Sequence, residues 1–340
     1  MRSGAERVHG WLILDKPLGL GSTQGVSAAK RALRDAGWPK LKVGHGGTLD
    51  PLATGVLPIA TGEATKLAGR LLDSDKAYEF TIRFGEQTAS LDAEGEVIAT
   101  SEVRPTRAAM EGVLPRFTGP IAQVPPAYSA LKVDGQRAYD LARGGETVEL
   151  ATRNVVVHRL HSSPPRGAGP LAESEWWRGM AANAPPVASA PPPSRCDGPP
   201  PRAGEELQEI TLTAHVSKGT YIRSLARDIA AALGTVGYVT FLRRTKAGPF
   251  DLSHAITLDK LDEVAKARNL EQYLLPLSAG LDDIPALPLD PDQAGALRQG
   301  RVLAGIAADD GSAFAMLGDL PVALVEVENG MVRVVRGFNL

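Results

Sequence analysis

The residues best placed for chemistry lie in one stretch, Gly44-His45-Gly46-Gly47-Thr48-Leu49-Asp50-Pro51-Leu52-Ala53-Thr54-Gly55-Val56-Leu57-Pro58. Between Val43 and Ala60, Asp50 is the only charged side chain. Glycines at 44, 46 and 47 allow backbone angles closed to other residues, and Pro51 restricts the residue before it, so the segment reads as a shaped loop. A carboxylate presented on such a loop can attack a carbon centre covalently or stabilise a developing cation. An Asp before Pro also commonly starts a plain turn by bonding its own backbone. Spacing alone leaves both readings open.

The elements that must position this loop are legible around it. Trp11-Leu12-Ile13-Leu14 is a short strand ended by the turn Asp15-Lys16-Pro17-Leu18-Gly19. Ser22 or Thr23 can cap a helix reaching about Ala36, with Val26, Ala29 and Leu33 on one face and Gly37 as its stop. A second helix is expected from Glu63 to Leu72, with Leu67, Leu71 and Leu72 inward. Tyr78, Phe80, Ile82 and Phe84 then alternate with Glu79, Thr81 and Arg83, the period of a half-buried strand. Further on, Ala138 to Arg143 reads as a short helix stopped by Gly144-Gly145.

Val155-Val156-Val157 and Glu209 to Thr213 could pair as a hairpin across what separates them. That separator, His161 to Gly204, holds eleven of the 26 prolines and few aliphatics, so it reads as a flexible insertion, with Trp176-Trp177 as its anomaly. Ile222, Leu225, Ala226, Ile229 and Leu233 fall at helical spacing, which puts Tyr221 and Arg223 at a strand-to-helix junction. A linker helix is expected around Leu258 to Ala267, and two alternating runs joined by Asn329-Gly330 are a hairpin signal.

With 340 residues and 43% hydrophobic content, the chain can bury a sizeable core, and two domains are expected. No apolar run approaches a membrane span and the first residues lack a signal-peptide core, so a cytoplasmic protein is expected. The single Cys196 leaves no internal disulfide and no cysteine-based zinc site. A formal net charge of −2 hides an uneven distribution. Residues 211–250 carry Lys218, Arg223, Arg227, Arg243, Arg244 and Lys246 against Asp228 alone, whereas 251–340 is acidic. The basic block is expected to face phosphates.

The loop around Asp50 closely resembles the signature G-H-x-G-x-L-D-P-x-A-x-G-x-L-P of the TruB family of tRNA pseudouridine synthases. Asp15-Lys16-Pro17, Asp73 to Phe80, Gln123 to Tyr139, Ser217 to Leu225 and Leu242-Arg243-Arg244 resemble further motifs of that family. Gly21 stands where the family usually has Thr or Ser, and the Pro-rich insertion departs from shorter members.

The resemblance implies an α+β pseudouridine synthase fold with a central mixed, largely antiparallel sheet over residues 1–275, and a small PUA-like β domain over 276–340. It implies Asp50, Tyr78 and Arg223 as catalytic, with Arg223 pairing the aspartate, and His45, Tyr221, Leu242, Lys132, Arg243 and Lys218 as substrate-binding; Arg137 is a further phosphate contact. The implied substrate is the T-loop uridine of tRNA, position 55, isomerised without metal or cofactor by a monomer. Two rivals are a catalytically silent tRNA-binding module of the same fold, and a glycoside hydrolase or nucleosidase. The second of these needs another carboxylate nearby, for which Asp73 and Asp75 are the nearest candidates.

Overall fold

A computed structural model describes residues 9–129, 131–133, 135–144, 148, 150–163 and 206–340. The architecture is mixed α and β, and the chain divides into two compact units, Met1–Lys76 with Arg244–Leu340, and Ala77–Arg243.

In the first unit, strand β1 (Gly10–Lys16) lies between β3 (Ala53–Thr61) and the short strand Leu274–Pro276, antiparallel to both. The run Trp11 to Leu14 does not alternate because it is fully buried on both faces. Helix α1 (Ser22–Asp35) buries Val26, Ala29 and Leu33, as the spacing predicts, and Gly37 follows it at φ 83°. Its cap differs from expectation: Gly21 is the N-cap, and Gln24 Oε1 accepts from the Gly21 N–H at 2.7 Å. Strand β2 (Val43–His45) pairs antiparallel with β3, so the Asp50 segment is the connection of a β2–β3 hairpin.

The expected helix from Glu63 to Leu72 is split into a 3₁₀ turn, Gly62–Lys66, and an α-helix, Ala68–Asp73. The tighter turn advances each residue further around the axis, so the phase shifts: Leu67 and Leu71 are buried, but Leu72 is 51% exposed.

The core of this unit gathers Trp11, Ile13, Val56, Leu67, Leu71, Phe250 and Phe338. The indole N–H of Trp11 donates to the Leu277 carbonyl at 3.1 Å. The C-terminal residues form a four-stranded sheet in the order Ala286–Pro288, Gly311–Leu317, Leu320–Glu328, Met331–Gly337. Asn329 and Gly330, at φ 53° and 73°, make the two-residue turn that the sequence signals.

In the second unit, Lys76–Phe84, Glu209–Val216, Arg153–Ser162 and Gly119–Gln123 are neighbours in that order. Phe80, Ile82 and Phe84 are buried as the alternation predicts, while Thr81 is buried too, because its hydroxyl meets that of Thr211 on the next strand at 2.9 Å. The expected hairpin partners do pair antiparallel, but the first strand continues through His161 and Ser162, opposite Thr213 and Leu212. The Pro-rich segment therefore starts later than composition indicates. Its remainder, with Trp176, Trp177 and Cys196, lies outside the described residues. Helix Ile222–Ala232 closes this unit with Ile222, Leu225, Ala226 and Ile229 inward, and Ala138–Arg143 is helical as expected.

Candidate active site

The Asp50 loop is held by a chain of hydrogen bonds to its backbone. Five successive carbonyls, from Gly47 to Pro51, each have a donor. Arg244 Nη2 donates to Gly47 O at 3.1 Å and Nη1 to Thr48 O at 3.3 Å, and its Nε reaches Val56 O at 2.8 Å on the far side of the loop. The Ser22 hydroxyl donates to Leu49 O at 2.9 Å, Ala53 N–H donates to Asp50 O at 3.0 Å, and Gly19 N–H donates to Pro51 O at 2.9 Å. Lys16 Nζ also reaches Pro51 O at 3.2 Å, together with the carbonyls of Leu20 and Pro17. Asp50 itself is half-buried.

The glycines serve two different needs. Of Gly44, Gly46 and Gly47, only Gly47 has a positive φ, at 153°; Gly46 is required for space, since a Cβ there would lie 2.7 Å from Leu71. Gly55 combines both needs, at φ 97° with a Cβ position 2.2 Å from the Arg244 carbonyl oxygen.

Two buried cations border this loop. Lys16 is fully buried, and desolvation pulls its ammonium down to about 8, against the attraction of Asp50 and with the help of Arg244. Arg244 is 1% exposed. Of the basic block expected to face phosphates, Arg244 and Arg223 are instead buried on protein acceptors, whereas Lys218 is exposed and Arg227, Arg243 and Lys246 are half-buried. The sequence carried one signal for Arg244, since adjacent residues on a strand point to opposite faces and one arginine of the Arg243-Arg244 pair had to turn inward. His45 ends β2, half-buried. Desolvation and the nearby Arg244 hold its imidazole below the ordinary value, so it is neutral at pH 7, and its Nδ1 is buried without a hydrogen-bond partner among the described residues.

The second unit organises Arg223. Its Nη1 donates to Asp92 Oδ2 at 3.0 Å and to Ser90 O at 2.9 Å, and its Nη2 donates to Tyr128 O at 2.9 Å. Asp92 is fixed in turn: the Ser90 hydroxyl and the Glu94 N–H donate to its Oδ1, and the Thr88 hydroxyl donates to its carbonyl. Leu91, between the two acceptors, sits at φ 62°. Sequence reasoning missed Asp92 because nothing local marks an acid 131 residues from its partner.

Tyr221 precedes helix Ile222–Ala232, and Gln123 grips its backbone by accepting from Tyr221 N–H at 2.8 Å and donating to its carbonyl at 3.2 Å. The Gln123-to-Ser129 motif thus docks on the start of this helix, with the Ser224 hydroxyl on Val124 O completing the contact. Tyr78 and Leu242 are half-buried against one core, Arg243 is half-buried and Lys218 is exposed. The side chains of Lys132 and Arg137 lie outside the described residues, although their strands pair. Among the described residues, no group of three potential metal ligands is gathered.

Comparison with known proteins gives the class to which the chain belongs, the pseudouridine synthases. Residues 31–165 match the TruB family pseudouridylate synthase (N terminal domain), and residues 223–282 match the tRNA pseudouridylate synthase B C-terminal domain. The chain is 58% identical over 333 residues to tRNA pseudouridine synthase B of Novosphingobium aromaticivorans, covering 98% of each chain. It is 53% identical to the protein of that name from Zymomonas mobilis, covering 99% of this chain and 98% of the other. The fold is similar, with a TM-score of 0.67, to a chain of an H/ACA RNP bound to a substrate RNA containing 2'-deoxyuridine, at 21% identity and covering 100% of this chain and 88% of that one. The protein belongs to the TruB family of pseudouridylate synthases.

Proposed function

We propose that the protein isomerises the T-loop uridine at position 55 of tRNA to pseudouridine, with Asp50 as the catalytic carboxylate. The observation that carries this reading is the loop itself, in which the backbone around a single carboxylate is bonded at every carbonyl from Gly47 to Pro51.

The reaction breaks the C1′–N1 bond, turns the freed uracil and joins C1′ to C5, and the proton on C5 is lost as N1 gains one. Atoms balance without oxidant or cofactor. Asp50 serves by attacking the sugar or base covalently, or by stabilising the cation that forms as the glycosidic bond opens. Arg223, held by Asp92, is assigned as the cation that supports this chemistry, and Tyr78 as the residue against the base that assists loss of the C5 proton. Leu242 and Tyr221 are assigned to binding of the uridine.

Flipping the uridine out of its stack costs a few kcal/mol. A neutral His45 on the same loop suits the space the base leaves, since it presents a flat ring rather than a charge to the RNA. Lys218, Arg243, Lys132 and Arg137 are assigned to phosphates. We assign residues 276–340 as a PUA-like portion that adds to RNA binding, residues 1–275 as the catalytic portion, and a cytoplasmic monomer as the working form.

The test is carbodiimide mapping of an unmodified tRNA transcript after incubation with the full chain. Pseudouridine at position 55 with the wild type and none with Asp50→Asn, at tRNA affinity within a few-fold, is the expected result. Appreciable turnover by Asp50→Asn would sink the assignment, and a wild type that binds tRNA without product would favour the silent binding module.

A further inference from the structure

Ser22 begins helix α1, yet its hydroxyl does not serve the helix. Gly21 is the N-cap, and its N–H is met by Gln24. Ser22 is instead 5% exposed, and its Oγ bonds one residue twice, donating to Leu49 O at 2.9 Å and accepting from Leu49 N–H at 2.8 Å. The Leu49 carbonyl and the Asp50 N–H belong to one planar peptide group, so this bond fixes the plane from which Asp50 hangs. On the other side, the Asp50 carbonyl belongs to the next peptide plane and accepts from Ala53 N–H. Both planes flanking the carboxylate are therefore set, one by the backbone and one by a side chain contributed by a separate element. Misplacing a reacting group by about 1 Å can cost on the order of a hundredfold in rate.

We propose that Ser22 is a positioning residue for Asp50, whose hydroxyl orients the Leu49–Asp50 peptide and through it the carboxylate. This rests on the reading of Asp50 as catalytic and goes beyond it by assigning the aim of that group to a serine 27 residues away.

The experiment measures single-turnover pseudouridine formation and tRNA Kd for the full chain as wild type, Ser22→Ala, Ser22→Thr and Asp50→Asn, with thermal midpoints alongside. Ser22→Ala is expected to slow the single turnover by about tenfold or more while Kd stays within about threefold, and Ser22→Thr, which keeps the hydroxyl, to stay within about threefold of wild type in both. A Ser22→Ala rate within about twofold of wild type overturns the proposal, as does a loss of affinity that matches the loss of rate. A folded Ser22→Thr as slow as Ser22→Ala also overturns it, since packing rather than the hydroxyl would then be responsible. If Ser22→Ala does not fold, Ser22→Cys, which keeps the size but replaces the hydroxyl by a weak donor, is read on the Ser22→Ala criteria. An inactive Asp50→Asn beside a normal Ser22→Ala removes only the positioning role, whereas turnover by Asp50→Asn removes the reading beneath it.

Discussion

Arg223 and Lys16 are buried cations with different limits. Arg223 spends two guanidinium nitrogens on Asp92, Ser90 and Tyr128, a forked arrangement that a lysine cannot reproduce. Arg223→Lys should lower kcat by about tenfold or more, some 1.4 kcal/mol, with tRNA affinity and its salt dependence nearly unchanged. A variant with normal single-turnover rate and a weaker salt slope would place Arg223 on a phosphate instead. Removing one partner of a buried ion pair costs about 3–5 kcal/mol of stability. Asp92→Asn, whose carboxylate pairs with Arg223 at 3.0 Å, should therefore depress the thermal midpoint strongly. Asp283→Asn, which breaks the exposed pair with Arg70, should change it by the ~0–1 kcal/mol typical of surface bridges. Equal shifts would contradict this.

Lys16 separates activity from stability. Its ammonium loses its proton near pH 8 in the folded protein, against 10.5 for the ordinary side chain. Between those values the unfolded chain binds more protons than the native one, so raising pH through this window favours the native state as far as this group is concerned. The same deprotonation removes a donor from the carbonyls of Pro17, Leu20 and Pro51. Turnover should fall above about pH 8 while the fold does not weaken on this account, and Lys16→Arg, which stays charged, should move that limb upward. A pH-rate profile unchanged in Lys16→Arg would count against the account.

At the scale of elements, the β2–β3 hairpin shows what spacing can and cannot reveal. The glycines announced an unusual loop, because they are local features. They did not announce which of them is irreplaceable. Gly55→Ala would drive a Cβ to 2.2 Å from the Arg244 carbonyl at φ 97°, whereas Gly44→Ala meets nothing within 4 Å. Thermal unfolding should therefore show Gly55→Ala severely destabilised and Gly44→Ala close to wild type; the reverse order would mean the strand contact is misjudged. The helix after β3 was legible in type and wrong in phase, since a 3₁₀ turn cannot be told from an α-turn by composition. The long strand through His161 was underestimated for a related reason: its last residues are polar and belong to the sheet only because Thr213 and Leu212 lie opposite.

At the scale of the molecule, the C-terminus is tied into the first unit. Lys66 Nζ donates to Gly337 O at 2.8 Å, Asn339 N–H donates to Glu63 Oε2 at 2.7 Å, and Phe338 is 4% exposed in the core that contains Trp11. Phe338→Ala should cost about 3–5 kcal/mol, read as a lower midpoint of the transition followed by tryptophan fluorescence. An unchanged midpoint would show that the last residues are dispensable. Nothing local in the chain marks these ties, which join residues more than 270 positions apart. The motifs were legible because each is contiguous, and the bonds that connect them were not.

Connections between strands ordinarily rank among the first segments of a protein to open, and their amide protons leave for solvent quickly. Here Gly46, Leu49 and Ala53 donate their N–H groups to Pro58 O, Ser22 Oγ and Asp50 O. Their exchange with heavy water should be as slow as that of β1 and β3, so the segment assigned the chemistry should be among the last parts of the first unit to breathe.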